Sequence, residues 1–234
     1  MPAAQQAPPP PPVGPRRLQR RQETLDTIVA LAVDVMTERG VGGLTLAEVA
    51  RRLGVQPPSL YKYFPSLLAL YDELFRRGQQ EHLDAVQQAI AAAPPGMRAV
   101  SAGVRAGAEW SASHPVLSQL LFWRPVAGYE PSAEAFAPSI AMVEHFRASL
   151  KDAVAEGELD QTADSDDALA LLSVVATGLV SQHLANDPAA TASESRFLRL
   201  IDPALAMFAN AYRPSHPAAR AARRAQGDQD RGTS

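Results

Sequence analysis

The chain has no cysteine. A disulfide framework and a thiolate metal site are therefore excluded, which suits a reducing compartment such as the cytoplasm, where the protein is expected. It also lacks an apolar start. Met1 to Pro12 is proline-rich and has no hydrophobic core of the kind a signal peptide needs. No stretch approaches about 20 uninterrupted apolar residues, so no membrane span is expected. The longest apolar run, near Ala168–Val180, is broken by Ser173, Thr177 and Gly178. β-Branched alternation is missing, which argues against strands, and no internal repeat of fixed period is present. No nucleophile–base pair, glycine-rich phosphate loop or metal cluster stands out. His145 and His183 are isolated and lack an i, i+4 partner, His114 precedes a proline, and Asp164, Asp166 and Asp167 suit a helix N-terminus. No catalysis, cofactor or metal is expected.

What is present is helical pattern, rich in alanine, with apolar residues recurring at three and four. The charge is unevenly spread. The net charge is −3, with +3 up to Pro65 and −6 beyond it. A basic head on an acidic body confines any contact with DNA to the head. The reading is an all-α chain with four parts: a disordered proline-rich arm over 1–15, a helix-turn-helix domain over 16–65, a helical body over 66–213, and a disordered tail over 214–234.

The spacing predicts a first helix from about Leu18 to Arg39, with Leu25, Ile28, Val29, Ala32, Val35 and Met36 on one stripe. Arg16, Arg17, Arg20 and Arg21 form a basic arm just ahead of it. Gly40 is placed to cap it. Thr45 and Glu48 have the spacing of a capping box, with Leu44 and Val49 as its hydrophobic staple. That predicts a short second helix, closed by Gly54, whose Arg51 and Arg52 point to solvent. A third helix is expected over Pro57–Phe64, because proline is tolerated in a first turn and Pro65 disfavours helical geometry before it. On it Ser59 and Lys62 face outward, with Tyr61 at the edge. Ser66 caps a fourth helix reaching about Ala93, where Pro94-Pro95-Gly96 breaks the chain. Further helices are expected near Met97–Ser113, Pro115–Phe122, Ala133–Glu156, Asp166–Asn186 and Glu194–Tyr212, with a loop over Trp123–Ser132.

Two short helices joined by a glycine-containing turn are the signature of a helix-turn-helix, whose second helix enters the major groove. The run Leu44-Thr45-Leu46-Ala47-Glu48-Val49-Ala50, then Leu53-Gly54-Val55, then Leu60-Tyr61-Lys62-Tyr63-Phe64-Pro65-Ser66 resembles the DNA-binding domain of the TetR family, over about Arg20 to Leu74. The resemblance implies a homodimer on a palindromic double-stranded operator, a body of five or six helices, and repression relieved by a small-molecule effector. By position it places Thr45, Tyr61 and Lys62 on phosphates, and Gln56, Pro58 and Ser59 nearest the bases. The arginines Arg17, Arg20 and Arg21 would add phosphate attraction. The segment Ser113–Phe136, with His114-Pro115 and Leu121-Phe122-Trp123, resembles one C-terminal subgroup of that family. Three positions depart from the family pattern: Gln56 stands where Ser or Thr is usual, and Leu67-Leu68 where Lys-Glu is frequent.

In the body, Trp110, Leu117, Phe122, Trp123, Phe136 and Phe146 are the candidate pocket lining, with plain core packing as the alternative for each. Phe136, Ile140, Val143, Phe146, Leu150 and Val154 form its strongest helical stripe. Ala168–Val180 and Phe197–Phe208 are candidates for a dimer seam through the C-terminal helices. Two other functions remain open at this point. One is an all-α enzyme, which would need clustered titratable groups in the body. The other is a DNA-binding regulator controlled by a protein partner, which would have no ligand-sized cavity.

Overall fold

A computed structural model describes residues 15–214; the proposed arm lies outside them except for Pro15, which is helical, and most of the proposed tail lies outside them. Among the described residues there are nine α-helices and no strand: α1 Pro15–Arg39, α2 Leu46–Leu53, α3 Pro57–Leu60, α4 Leu67–Ala92, α5 Met97–Ser113, α6 Pro115–Trp123, α7 Ala133–Ala155, α8 Asp166–Asn186 and α9 Ile201–Ala211. The chain divides into two compact units at Leu70–Tyr71, inside α4.

In the N-terminal unit the stripe on α1 is inside: Ile28, Val29, Ala32, Val35 and Met36 are all buried. α1 packs on α2, and α2 on α3. Gly40 and Gly54 take positive φ values of 75° and 74°, which glycine adopts at little cost and which end α1 and α2. The four arginines expected ahead of the first helix are within it, because α1 starts at Pro15 and nothing after that proline breaks it. The third helix is shorter than its pattern suggested. It stops at Leu60, and the chain continues as a turn in which Tyr63 N and Phe64 N both bond to the Leu60 carbonyl. Pro65 disfavours helical geometry at Phe64 just before it, which limits the helix on that side.

In the C-terminal unit α5 is central, packing on α6, α7, α8 and α9. Val100, Val104, Leu150, Leu169, Leu172, Leu205 and Phe208 belong to one core cluster. Ser132 and Ser165 cap α7 and α8 by accepting from Ala135 N and Ala168 N. The last predicted helix begins late. Residues 198–200 form a 3₁₀ turn, and α9 starts at Ile201, because Pro203 is tolerated only in a first turn. α8 also corrects an expectation. Its 21 residues are long and apolar enough to cross a membrane by length and composition, despite the polar interruptions. It packs against α5, α6, α7 and α9 on one side, while Leu171 and Val174 are exposed on another.

Candidate nucleic-acid interface and body cavity

The helix-turn-helix is organised by Thr45 and Glu48. Thr45 precedes α2 in extended backbone, and its hydroxyl oxygen accepts from Glu48 N at 3.2 Å. No hydrogen bond from Thr45 N to the Glu48 carboxylate completes the box. Instead that carboxylate receives Arg51 at 2.7 Å, Arg52 at 2.9 Å and Arg39 at 3.1 Å. The bonds from Arg51 and then Arg52 hold the Glu48 carboxyl down at about 2. Arg52 also reaches Glu38, so it is tied on both sides and largely covered. Arg51 stays largely in solvent, as the pattern set it, while Arg52 is a brace within the head, because the pattern missed its partner fourteen residues away.

The reading face is small. Gln56 precedes α3 without a side-chain cap, consistent with glutamine's poor capping chemistry. Pro58 and Lys62 are exposed, and Tyr61 is 55% exposed. Ser59, expected to face outward, is half-buried, because a one-turn helix over Leu60 leaves it against the core. Leu60 and Phe64 are buried beneath this face. Arg17 and Arg20 are exposed on the first turns of α1. Arg21 lies over the Tyr63 ring, 5.2 Å from its centre, a cation–π contact that ties α1 to the turn after α3.

The C-terminal unit contains a cavity of about 740 Å³ walled by α4, α5, α6, α7 and α8. Glycine makes room for it. A Cβ on Gly107 would lie 2.8 Å from His82 Nε2, so α4 and α5 approach this closely only without one. Of the six residues expected in its lining, Phe122, Phe136 and Phe146 are there, and Trp110, Leu117 and Trp123 are not. Trp110 is buried against two imidazoles, tilted to His82 at 5.0 Å and stacked on His114 at 4.7 Å. Leu117 is buried in packing beside Gly78. Trp123 ends α6 at the surface and donates from Nε1 to Ser181 Oγ at 3.2 Å.

Sequence reasoning missed the polar part of the lining, notably Gln79, His82, Arg124, Ser139 and Arg147. A signal for two of them was available. Phe75, Gln79, His82 and Val86 follow one another at helical spacing, so two polar residues interrupt the buried stripe of α4. Burial pushes the His82 imidazole down to about 4, which leaves it neutral near pH 7. His82 Nδ1 and Ser139 Oγ are buried without a hydrogen-bond partner. The start of α7 is fixed beside this cavity by Asp72 on α4. Its carboxylate accepts from Ser132 N at 2.9 Å, Ser132 Oγ at 2.7 Å and the Tyr129 hydroxyl at 3.2 Å. Among the described residues no group of three or more His, Asp or Glu side chains is arranged to hold a metal ion.

Comparison with known proteins matches residues 28–74 to the family "Bacterial regulatory proteins, tetR family". The tetracycline repressor protein class A from transposon 1721 of Escherichia coli is 47% identical over 49 residues, which are 21% of this chain and 23% of that protein. The HTH-type transcriptional regulator Rv1816 of Mycobacterium tuberculosis is 28% identical over 155 residues, 65% of this chain and 66% of that one. The matches thus span 23% and 66% of these relatives' length. Among solved structures, the TetR family transcriptional regulator PfmR from Thermus thermophilus superposes with a TM-score of 0.60 at 18% identity, covering 78% of this chain and 97% of that one. That likeness shows a shared all-α fold. The helix-turn-helix segment, residues 28–74, thus matches the tetR family of bacterial regulatory proteins in sequence, and the helical body is matched in fold alone.

Proposed function

We propose that this protein is a DNA-binding transcriptional repressor, released from a palindromic operator when a small molecule occupies the body cavity. The observation that carries the reading is the capped α2, glycine turn and α3 assembly, with Tyr61 and Lys62 exposed beside Thr45. Thr45, Tyr61 and Lys62 are suited to phosphates, and Gln56, Pro58 and Ser59 to the base edges nearby. Arg17 and Arg20, with Arg21 held over Tyr63, add sequence-independent attraction.

The protein acts as a homodimer in this reading, since a two-fold protein matches two half-sites. Apolar side chains left outside on the C-terminal helices support a seam there: Val174 is 65% exposed and Met207 75%, with Leu171 and Leu200 also out. The effector is a small molecule and not a protein partner, because the body holds a ligand-sized cavity whose wall carries unpartnered polar atoms. The body is a sensor with no catalytic role, and the setting is the cytoplasm. The effector works by population shift, favouring a head spacing that no longer fits the half-sites. α4 belongs by chain continuity to both units and is the element through which such a shift passes.

The test is footprinting on DNA flanking the protein's own gene, with a salt series. Wild type should protect a palindrome. Lys62→Ala should weaken binding across all sequences and flatten the salt slope by about one. Absence of a protected palindrome would overturn the reading, and an unchanged slope would remove Lys62 from the phosphate contacts.

A further inference from the structure

The cavity wall has one unmatched charge and one buried amide. Three of its lining residues are ionic at neutral pH: Arg124, Arg147 and Asp166. Arg147 is neutralised, with its guanidinium 2.7 Å from Asp166 and 3.6 Å from Glu144. Arg124 makes no ion pair among the described residues. It closes α6 with φ at 46°, left-handed backbone that costs an L-residue roughly 1–2 kcal/mol. The wall therefore offers one free positive charge at an exposed residue.

The remainder is mostly apolar, led by Phe122, Phe136 and Phe146. Polar side chains interrupt it, among them His82, Ser139 and Gln79. Gln79 carries the one amide of the lining, is only 5% exposed and makes no side-chain hydrogen bond among the described residues, so an occupant of the cavity can hydrogen-bond to it. It can donate and accept, but it carries no charge.

We propose that the cavity takes an amphipathic monoanion, its acid group held by Arg124, its apolar body against the three phenylalanines and an uncharged polar group on the Gln79 amide. The inference rests on the reading of the cavity as the effector site. A neutral molecule of the same shape forfeits the only uncompensated cation of the described lining. Because Arg124 is exposed, its attraction also weakens as salt rises.

Two fluorescent probes share one skeleton and differ in this charge. Both 8-anilinonaphthalene-1-sulfonate and N-phenyl-1-naphthylamine have an aromatic body and an N–H group, and the first adds a sulfonate. The full-length protein should bind the sulfonate at least tenfold more tightly. Arg124→Gln should erase that preference while leaving the neutral probe's affinity unchanged, and Arg124→Lys should retain most of it. Ala176→Phe, which adds bulk to the lining, should abolish binding of both. Equal affinity for the two probes, or equal loss of both in Arg124→Gln, overturns the monoanion while leaving the effector cavity standing. Binding of neither probe to wild type, or unchanged binding in Ala176→Phe, overturns the cavity reading as well.

Discussion

The two units handle polar groups in opposite ways. In the N-terminal unit charge is satisfied internally: Glu48 collects three guanidiniums, Glu38 takes a further bond from Arg52, and apolar packing lies beneath. What that unit leaves open is a small exposed set around Tyr61 and Lys62. In the C-terminal unit the open groups are inside. Beside the cavity His82 Nδ1 and Ser139 Oγ are buried without a partner, while large apolar side chains of α8 and α9 stand outside. A rigid internally paired surface suits a fixed polymeric partner, since phosphates are arrayed in advance. Unmatched groups around a cavity suit a ligand that supplies what the wall lacks. The difference teaches that stability in the head comes from its own contacts, whereas the body keeps unfavourable features that a ligand can relieve.

The largest expected effect separates the units by packing. Leu60 is fully buried under the reading face. Leu60→Ala should cost about 2–5 kcal/mol, the range for a large-to-small change in a core. Both tryptophans, Trp110 and Trp123, are in the C-terminal unit, so their fluorescence should still report a cooperative body transition while DNA binding is lost. Joint collapse of both signals would break the comparison.

Acid should separate the units next. His82 is buried neutral at about 4, whereas an unfolded histidine takes a proton near 6.5. Its contribution is therefore intact above about pH 6.5 and falls as pH drops toward 4, by about 3 kcal/mol if the whole interval is spanned. His183, also lowered by burial, acts in the same direction. The Glu48 pairs keep their contribution above the ordinary carboxyl value of 4.5 and lose it only toward about 2. Denaturant titrations from pH 7 to 3 followed by tryptophan fluorescence should show the body weakening first, and His82→Gln should flatten that slope. A head that fails at the higher pH would reverse the assignment.

The smallest effect sharpens the head alone. Thr45→Ala removes the α2 cap and should cost about 1 kcal/mol. It should also weaken operator binding beyond that, with Thr45→Ser restoring both. Loss of stability without any additional loss of binding would leave Thr45 as a cap only.

Legibility in the sequence followed contact distance. Thr45 and Glu48 are one helical turn apart, and the cap they imply is present. The other half of the box was not legible, because Arg39, Arg51 and Arg52 compete for the same carboxylate and win it. The α7 stripe shows the same limit. Its periodicity is real, and Leu150 is in the core, yet Phe136 and Val143 border the cavity and Ile140 is exposed. Periodicity states which residues share a face, but not whether another helix covers it. The aromatic search found three lining residues and misplaced Trp110, whose partners lie twenty-eight residues before it and four after it.

The sequence by itself determined the helices, their caps and breaks, and the helix-turn-helix, because capping, proline and glycine effects and helical periodicity act within a few residues. Only the tertiary structure decided that Arg52 braces the head between Glu38 and Glu48, and that glycine at 107 brings α5 against His82 beside a cavity with a free Arg124. Those outcomes depend on which distant side chains meet, and on burial that turns an ordinary histidine into an unsatisfied one.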